Sequence, residues 1–135
     1  MAAPVETLRK VPLFADLERK ELQQVAGSMK ERTFAAGETV TREGQGGVGF
    51  FVIEDGEAEV TVRGERRATL KAGDYFGEVA LLGENARSAT ITATSPLHCY
   101  GMTFWDFRPL VENSQTIAWK LLQAMAKQLQ AASSE

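Results

Sequence analysis

Glycine divides the middle of this chain into short pieces. Between residues 37 and 77 there are nine glycines, and the runs between them are rich in valine, phenylalanine, isoleucine and threonine. Short β-branched and aromatic runs bounded by glycine are typical of antiparallel strands joined by tight turns. The pattern therefore predicts a β-rich central region. The nine positions are Gly37, Gly44, Gly46, Gly47, Gly49, Gly56, Gly64, Gly73 and Gly77.

Several stretches show the period of two that marks a strand with one buried face. Residues 48–53 and 57–62 flank an Asp-Gly pair at 55–56, which predicts a β-hairpin whose turn is that pair. In residues 89–94 small or apolar side chains alternate with three threonines, and a further strand is predicted over 97–102. These stretches predict sheets that are buried on one face and solvated on the other.

Both ends of the chain carry apolar residues at helical spacing. Near the start such residues cluster around Pro12, and a helix is predicted over 19–29 with Asp16 as its capping residue. After residue 103 the apolar spacing predicts two more helices. The predicted order is a helical region over about 5–31, a β-barrel or roll over about 32–103, and C-terminal helices over about 104–131.

Length and composition limit the kind of protein. A chain of 135 residues with 44% hydrophobic content can bury one core, so residues 1–135 are predicted to form a single domain. The net charge of −3 argues against a nucleic-acid partner, which attracts basic surfaces. The first residues lack the features of a signal peptide, and no stretch is apolar for long enough to span a bilayer. These features predict a soluble cytoplasmic protein with no membrane partner.

The clearest chemistry lies just before the second alternating stretch. A helix-like run, 78–82, begins directly after Gly77 and ends at a second glycine. A helix start presents unpaired backbone N–H groups and the positive end of a dipole, and glycine lets a ligand approach the backbone. Arg87 offers a fork of donors to a phosphate, and Glu78 can accept hydrogen bonds from sugar hydroxyls. Together these groups fit a sugar that carries one negative charge.

This segment resembles the phosphate-binding cassette of the cyclic-nucleotide-binding domain family, which includes bacterial catabolite activator proteins and protein-kinase regulatory subunits. The spacing from Phe76-Gly77-Glu78 to Arg87-Ser88-Ala89 is similar to the family pattern, and the similarity extends from about Leu8 to the final helix. The resemblance implies an α+β fold. In it, an antiparallel β-roll of eight strands, a double-stranded jelly-roll-like barrel, is flanked by N-terminal and C-terminal helices.

The resemblance also implies roles for individual residues. Glu78 would bind the ribose 2′-hydroxyl and Arg87 the cyclic phosphate, while backbone N–H groups around Gly77 and the Ser88 hydroxyl complete the cradle. Ala86 departs from the family pattern, since many members have proline there, but this change removes no ligand contact. The implied ligand-binding residues are Phe76, Gly77, Glu78, Val79, Ala80, Arg87, Ser88 and Ala89.

The residue after the arginine bears on the choice of base. In the family, threonine at the position of Ser88 can favour cGMP, alanine accompanies cAMP in many kinase subunits, and serine occurs in bacterial cAMP sensors. The resemblance therefore implies cAMP, in preference to cGMP, as the regulatory ligand.

Other interpretations of these residues lead to different classes of protein. Glu78 and Arg87 could form a structural salt bridge, but their glycine-flanked setting favours ligand binding. A domain of the same fold that does not bind nucleotide could serve as an interaction module, but the presence of both Glu78 and Arg87 argues against this. A small cupin-like enzyme would need clustered histidines and carboxylates for a metal, and the chain has one histidine. His98 and the lone Cys99 lie in a predicted strand without further ligands. We therefore expect a sensor with no metal and no catalytic residue.

The last predicted helix has an apolar face wider than one packing surface needs. Its apolar residues cover about half of a helical wheel, so it is expected to contact something besides the β-roll. The purine ring and a second subunit are the two alternatives, with Trp119 and Leu122 as potential lid residues. The ligand signal is expected to pass through the C-terminal helices. The chain ends where related proteins continue into an effector, so we expect a stand-alone binder or a fragment, either homodimeric or associated with an effector.

Overall fold

Helices lie at both ends of the chain and strands lie between them. The computed structural model describes residues 5–42, 49–77, 81 and 89–133. The N-terminal part contains helix α1 (Val5–Arg9), a 3-10 turn (Pro12–Phe14) and helix α2 (Arg19–Gly27), and the C-terminal part contains α3 (Phe104–Glu112) and α4 (Gln115–Ser133). None of the helices in these ranges is long and apolar enough to cross a membrane.

The strands form two antiparallel sheets that face each other. Within the described residues there are eight strands, arranged as two four-stranded sheets with the orders β1-β8-β3-β6 and β2-β7-β4-β5. This arrangement confirms the predicted α+β fold with an antiparallel roll between helices. The strands are β1 (Lys30–Phe34), β2 (Thr39–Thr41), β3 (Phe50–Asp55), β4 (Ala58–Val62), β5 (Glu65–Leu70), β6 (Tyr75–Phe76), β7 (Thr90–Ala93) and β8 (Leu97–Met102).

The predicted hairpin at the Asp-Gly pair is wrong, although both of its strands exist. Strand β3 pairs with β8 in one sheet, whereas β4 pairs with β7 in the other. The chain therefore changes sheet at Gly56, which has φ +95° and packs so closely on the Pro96 carbonyl that a side chain would collide with it. Beside it, the Glu57 N–H donates to Ser95 Oγ at 2.9 Å and the Thr94 N–H donates to the Glu57 carbonyl at 3.0 Å. The chain also passes from one sheet to the other between β7 and β8, through Thr94 and Ser95. These hydrogen bonds hold the two crossings side by side.

The β-hairpin that does form in this region joins β4 to β5. Its two central residues, Arg63 and Gly64, have φ values of 53° and 81°. Two consecutive positive φ values are the requirement of a type I′ turn, whose twist matches that of the strands on either side. The Arg-Gly pair therefore makes the turn that was predicted for the Asp-Gly pair.

Helix α2 begins at Arg19 as predicted and ends at Gly27, two residues before the predicted end, but its capping residue differs from the prediction. Its first residue is Arg19, so the capping position falls on Glu18, and Asp16 lies too far upstream to cap it. The backbone N–H of Glu18 donates to Glu21 Oε1 at 2.8 Å, which is one half of a capping box. The Asp16 carboxylate instead accepts a hydrogen bond from Lys127 of α4 at 2.7 Å.

Two clusters of buried apolar side chains lie on opposite faces of the first sheet. In β3, Phe50 and Val52 belong to one cluster and Phe51 and Ile53 to the other. The expectation of one wet face is therefore wrong for β3, because helices cover the face that would otherwise meet solvent. The helical cluster contains Leu8, Val11, Leu13, Phe14, Leu17, Leu22, Val25, Ala26, Met29, Phe50, Val52, Leu81, Tyr100, Met102, Phe107, Ile117 and Leu121. The roll cluster contains Phe51, Ile53, Ala58, Phe76, Ile91, Ala93, Leu97 and Cys99.

Candidate functional site

A turn fixed to the first sheet precedes the segment that was predicted to bind ligand. The Lys71 N–H donates to Asp74 Oδ2 at 2.9 Å, and the Asp74 N–H returns to the Lys71 carbonyl at 2.9 Å. Gly73 has φ +91°, and its N–H donates to the Ile53 carbonyl at 2.9 Å. The Ile53 N–H in turn donates to the Asp74 carbonyl at 2.9 Å. These bonds hold the start of β6 against β3.

The last residue of β6 is anchored inside the roll. Phe76 is buried in the roll cluster, and its ring stacks on Phe51 with centroids 5.2 Å apart and an interplanar angle of 22°. Gly77 follows with φ +83°, in the left-handed region that favours glycine. The chain thus leaves β6 in a direction that a residue with a side chain adopts only under strain. The backbone conformation by itself therefore favours glycine at position 77.

Leu81 ties the predicted binding segment to the helices. Its side chain is 1% exposed and lies in the helical cluster, together with Phe107 of α3 and with Ile117 and Leu121 of α4. The segment is therefore anchored in the roll cluster at Phe76 and in the helical cluster at Leu81. Through Leu81 the segment shares one buried cluster with residues of α3 and α4.

The exit from the segment lies in the other sheet. Ala89 is half-buried, and β7 begins at the next residue, where Thr90 pairs with Thr61 of β4. Strand β6 is at the edge of the first sheet, whereas β7 is an internal strand of the second. The segment between them therefore joins one sheet to the other.

The described residues include part of the predicted site. Phe76, Gly77 and Ala89 lie at the two ends of the segment, as described above. The other predicted ligand-binding residues lie outside the described residues, so their roles stay predictions. They are Glu78, Val79, Ala80, Arg87 and Ser88.

Helix α4 presents two different faces. Ile117, Leu121 and Ala124 are buried, whereas Trp119 is 62% exposed and Leu122 is 58% exposed. The two potential lid residues are thus on the side of α4 that the core leaves open. Their role over a bound base stays a prediction.

His98 and Cys99 both have structural explanations. Cys99 is in the roll cluster, and burial raises the pKa of its thiol to about 12, which keeps it protonated near neutral pH. His98 Nε2 lies 2.8 Å from Glu31 Oε2 across the β1–β8 pair. Within the ranges that the structure describes, no group of three or more His, Cys, Asp or Glu residues could hold a metal ion.

Phe51 and Leu81, which together with Phe76 anchor the segment in the two clusters, were not among the site residues predicted from the sequence. Leu81 belongs to the apolar run 79–82, and an apolar run in a sequence stretch that is otherwise polar indicates a buried contact. Phe51 carried no comparable indication, because a phenylalanine in a strand is an ordinary core residue. Its contact with Phe76 joins positions far apart in sequence.

The comparisons with known proteins agree with this geometry. A family model described as the cyclic nucleotide-binding domain matches residues 31–114. The chain is 46% identical over 92 residues to a cAMP-dependent protein kinase regulatory subunit of Yarrowia lipolytica. The aligned region covers 67% of this chain and 24% of that protein. The chain thus spans about a quarter of the length of that relative.

Solved structures share the fold. The N-terminal domain of a transcriptional regulator from Streptomyces coelicolor has a TM-score of 0.88 and 28% identity, with 95% of each chain covered. The cAMP-bound structure of PfPKA-R has a TM-score of 0.68 and 28% identity, with 88% of this chain and 45% of that chain covered.

Proposed function

Because the chain belongs to the family of cyclic nucleotide-binding domains, we propose that it binds cAMP, in preference to cGMP, in the segment between Phe76 and Ala89 and acts as a regulatory sensor. The observation that carries the proposal is that the matched span, residues 31–114, includes this whole segment with Glu78 and Arg87 both present. Proteins similar to this chain include a cAMP-dependent kinase regulatory subunit and a cAMP-bound structure, which supports cAMP.

In this proposal each polar group of the segment has a defined task. Arg87 pairs with the cyclic phosphate through charge-assisted hydrogen bonds, and Glu78 accepts a hydrogen bond from the ribose 2′-hydroxyl. The backbone N–H groups near Gly77, Val79 and Ala80, together with the Ser88 hydroxyl, complete the phosphate site. A rigid frame supports this arrangement, since Phe76 and Leu81 anchor the segment in two separate clusters.

Titration calorimetry with the Arg87→Ala variant tests the proposal. The wild type is expected to bind cAMP more tightly than cGMP, and Arg87→Ala to lose on the order of 2 to 4 kcal/mol of cAMP binding because the phosphate stays desolvated without its partner. Arg67→Ala is the matched control, because Arg67 is exposed on β5 and pairs only loosely with Glu65 at 3.6 Å. Equal affinity of a folded Arg87→Ala protein and the wild type would remove Arg87 from the site.

We further propose that ligand binding repositions the C-terminal helices. Leu81 lies in one buried cluster with Phe107, Ile117 and Leu121, which supports this route. A ligand shifts an equilibrium only through different contacts with the two states, and a change at Leu81 alters the packing of α3 and α4 directly. Hydrogen exchange of residues 113–130 with and without saturating cAMP measures the response.

The exposed side of α4 has two alternative occupants in this proposal. Trp119 and Leu122 either close over the purine or contact a second copy of the chain. A change in Trp119 fluorescence at constant sedimentation rate on adding cAMP supports the lid. A sedimentation rate that rises with protein concentration without ligand supports a homodimer.

A further inference from the structure

A partly buried ion pair joins α4 to α2. Lys120 Nζ lies 3.0 Å from Glu21 Oε1, and the two side chains are only 21% and 12% exposed. Glu18 is 3.8 Å from the same ammonium but is 80% exposed, so it contributes less. Glu21 is therefore the main partner of Lys120 among the described residues.

The same oxygen of Glu21 also completes the start of α2. Oε1 accepts the backbone N–H of Glu18 at 2.8 Å as well as the Lys120 ammonium. Burial acts to raise the pKa of Glu21, but this hydrogen bond and the Lys120 charge outweigh it, so the pKa lies below its ordinary value. One ionised carboxylate oxygen thus serves both as the cap of α2 and as the contact of α4.

Both helices contribute apolar side chains to the helical cluster, and the Lys120–Glu21 pair adds a charged link at this point. A groove of about 310 Å³ lies between α2 and the start of α4, lined on one side by residues of α2 and on the other by Ser114 and Thr116. A second ion pair lies two turns further along α4, where Lys127 meets Asp16 at 2.7 Å, but its side chains are more exposed. The Lys120–Glu21 pair is therefore the best shielded charged link in this region.

We infer that Glu21 couples α4 to α2, so that a displacement of α4 on ligand binding moves the start of α2 with it. If α4 moved alone, Lys120 would leave a partly buried carboxylate without its cation, and a joint movement of the two helices avoids this cost. The ligand-driven movement rests on the proposed function, whereas the link between the two helices does not.

Amide hydrogen exchange in the ligand-free protein tests the link. Lys120→Met changes only α4, yet it is expected to speed exchange in the first turn of α2 by about three- to fivefold, the opening expected on losing a partly shielded pair. Lys127→Met is the matched control, because it removes the same charge from the same helix but contacts Asp16, outside α2. Faster exchange in α4 alone, with α2 unchanged in Lys120→Met, would overturn the inference.

Glu21→Gln gives a second test with little risk to folding. Glutamine keeps an oxygen that can accept the Glu18 N–H, so the cap survives while the charge is lost. In the wild type, saturating cAMP is expected to alter exchange in both α2 and α4, whereas in Glu21→Gln only α4 should respond. An α2 response of the same size in both proteins would contradict the coupling. If calorimetry detects no cAMP binding, the proposed function fails, but the exchange measurements on the free protein still decide the link.

Discussion

Replacing Leu81 by alanine tests whether the binding segment is anchored in the helical cluster. Leu81 is 1% exposed, so truncation removes three buried carbons and leaves a cavity that the surrounding side chains fill only partly. The expected loss is about 2 to 5 kcal/mol in the free energy of unfolding. A chain of this size is typically stable by about 5 to 15 kcal/mol, so the variant should remain folded at room temperature wherever the wild-type stability exceeds this loss.

Two other leucines provide matched controls in urea unfolding experiments. Leu129 lies on α4 and is 69% exposed, so Leu129→Ala should change stability by no more than about 0.5 kcal/mol. Leu8 is fully buried in the same cluster but lies on α1, so Leu8→Ala should cost about as much as Leu81→Ala, about 2 to 5 kcal/mol. Equal stability of the Leu81→Ala and Leu129→Ala proteins would refute the burial of Leu81.

Binding separates Leu81 from a general loss of stability. In Leu81→Ala the segment loses its anchor next to the proposed phosphate site, and the affinity for cAMP should fall by about tenfold, or about 1.4 kcal/mol of lost preorganisation. Leu8→Ala should bind as the wild type does. If both folded variants bind cAMP with wild-type affinity, the anchor does not contribute to the site.

Further outcomes follow from the residues of the site and of the core. If Glu78 reads the ribose, the wild type should bind 2′-deoxy-cAMP much more weakly than cAMP and Glu78→Gln should discriminate less; equal wild-type affinities would give Glu78 another role. Prolonged incubation should leave cAMP intact, and AMP formation that follows the protein through purification would contradict a pure sensor. Because burial raises the pKa of Cys99 to about 12, a thiol reagent should label it only as fast as the fold opens; labelling at the rate of the unfolded chain would show the thiol to be accessible. Folding lowers the pKa of Glu21, so the stability that its carboxylate contributes is complete above the ordinary pKa of 4.5 and is lost as the pH falls through the pKa of the folded state. In urea titrations below about pH 5, the stability difference between the wild type and Glu21→Gln should therefore shrink. A difference that stays constant with pH would contradict this prediction.

Some features of the candidate site could be predicted from residues that are close in sequence, and others could not. The residue types between Phe76 and Ala89 predict a site for a sugar and a phosphate, because Glu78 can accept hydrogen bonds from hydroxyls and Arg87 can donate to a phosphate. The roles of Glu78 and Arg87 stay predictions. The anchors of the segment could not be predicted in the same way. Phe51 and Phe76 stack across two paired strands, and Leu81 shares a buried cluster with helices that begin more than 20 residues later. Such contacts depend on where the chain returns, which no local pattern contains.

The strands themselves were determined by the sequence. The alternation in 89–94 places Ile91 and Ala93 in the core as predicted, and β8 has the predicted bounds of Leu97–Met102. Side chains on a strand alternate between its faces, so a period of two is visible without knowledge of the partner. The left-handed backbone at Gly77, which glycine adopts without strain, was not predicted from the sequence.

Only the tertiary structure decided which strands pair. An Asp-Gly pair with positive φ at the glycine suits a tight hairpin, but it also suits a corner where a strand passes from one sheet to the other, and Gly56 makes such a corner. The choice follows from the neighbouring crossing at Thr94–Ser95, whose backbone and side-chain groups satisfy Glu57. It also follows from the pairing of the later strands, because β3 pairs with β8 and β4 pairs with β7. Backbone hydrogen bonds carry no residue identity, so the sequence specifies that a strand must be paired while the packing of the whole chain selects the partner.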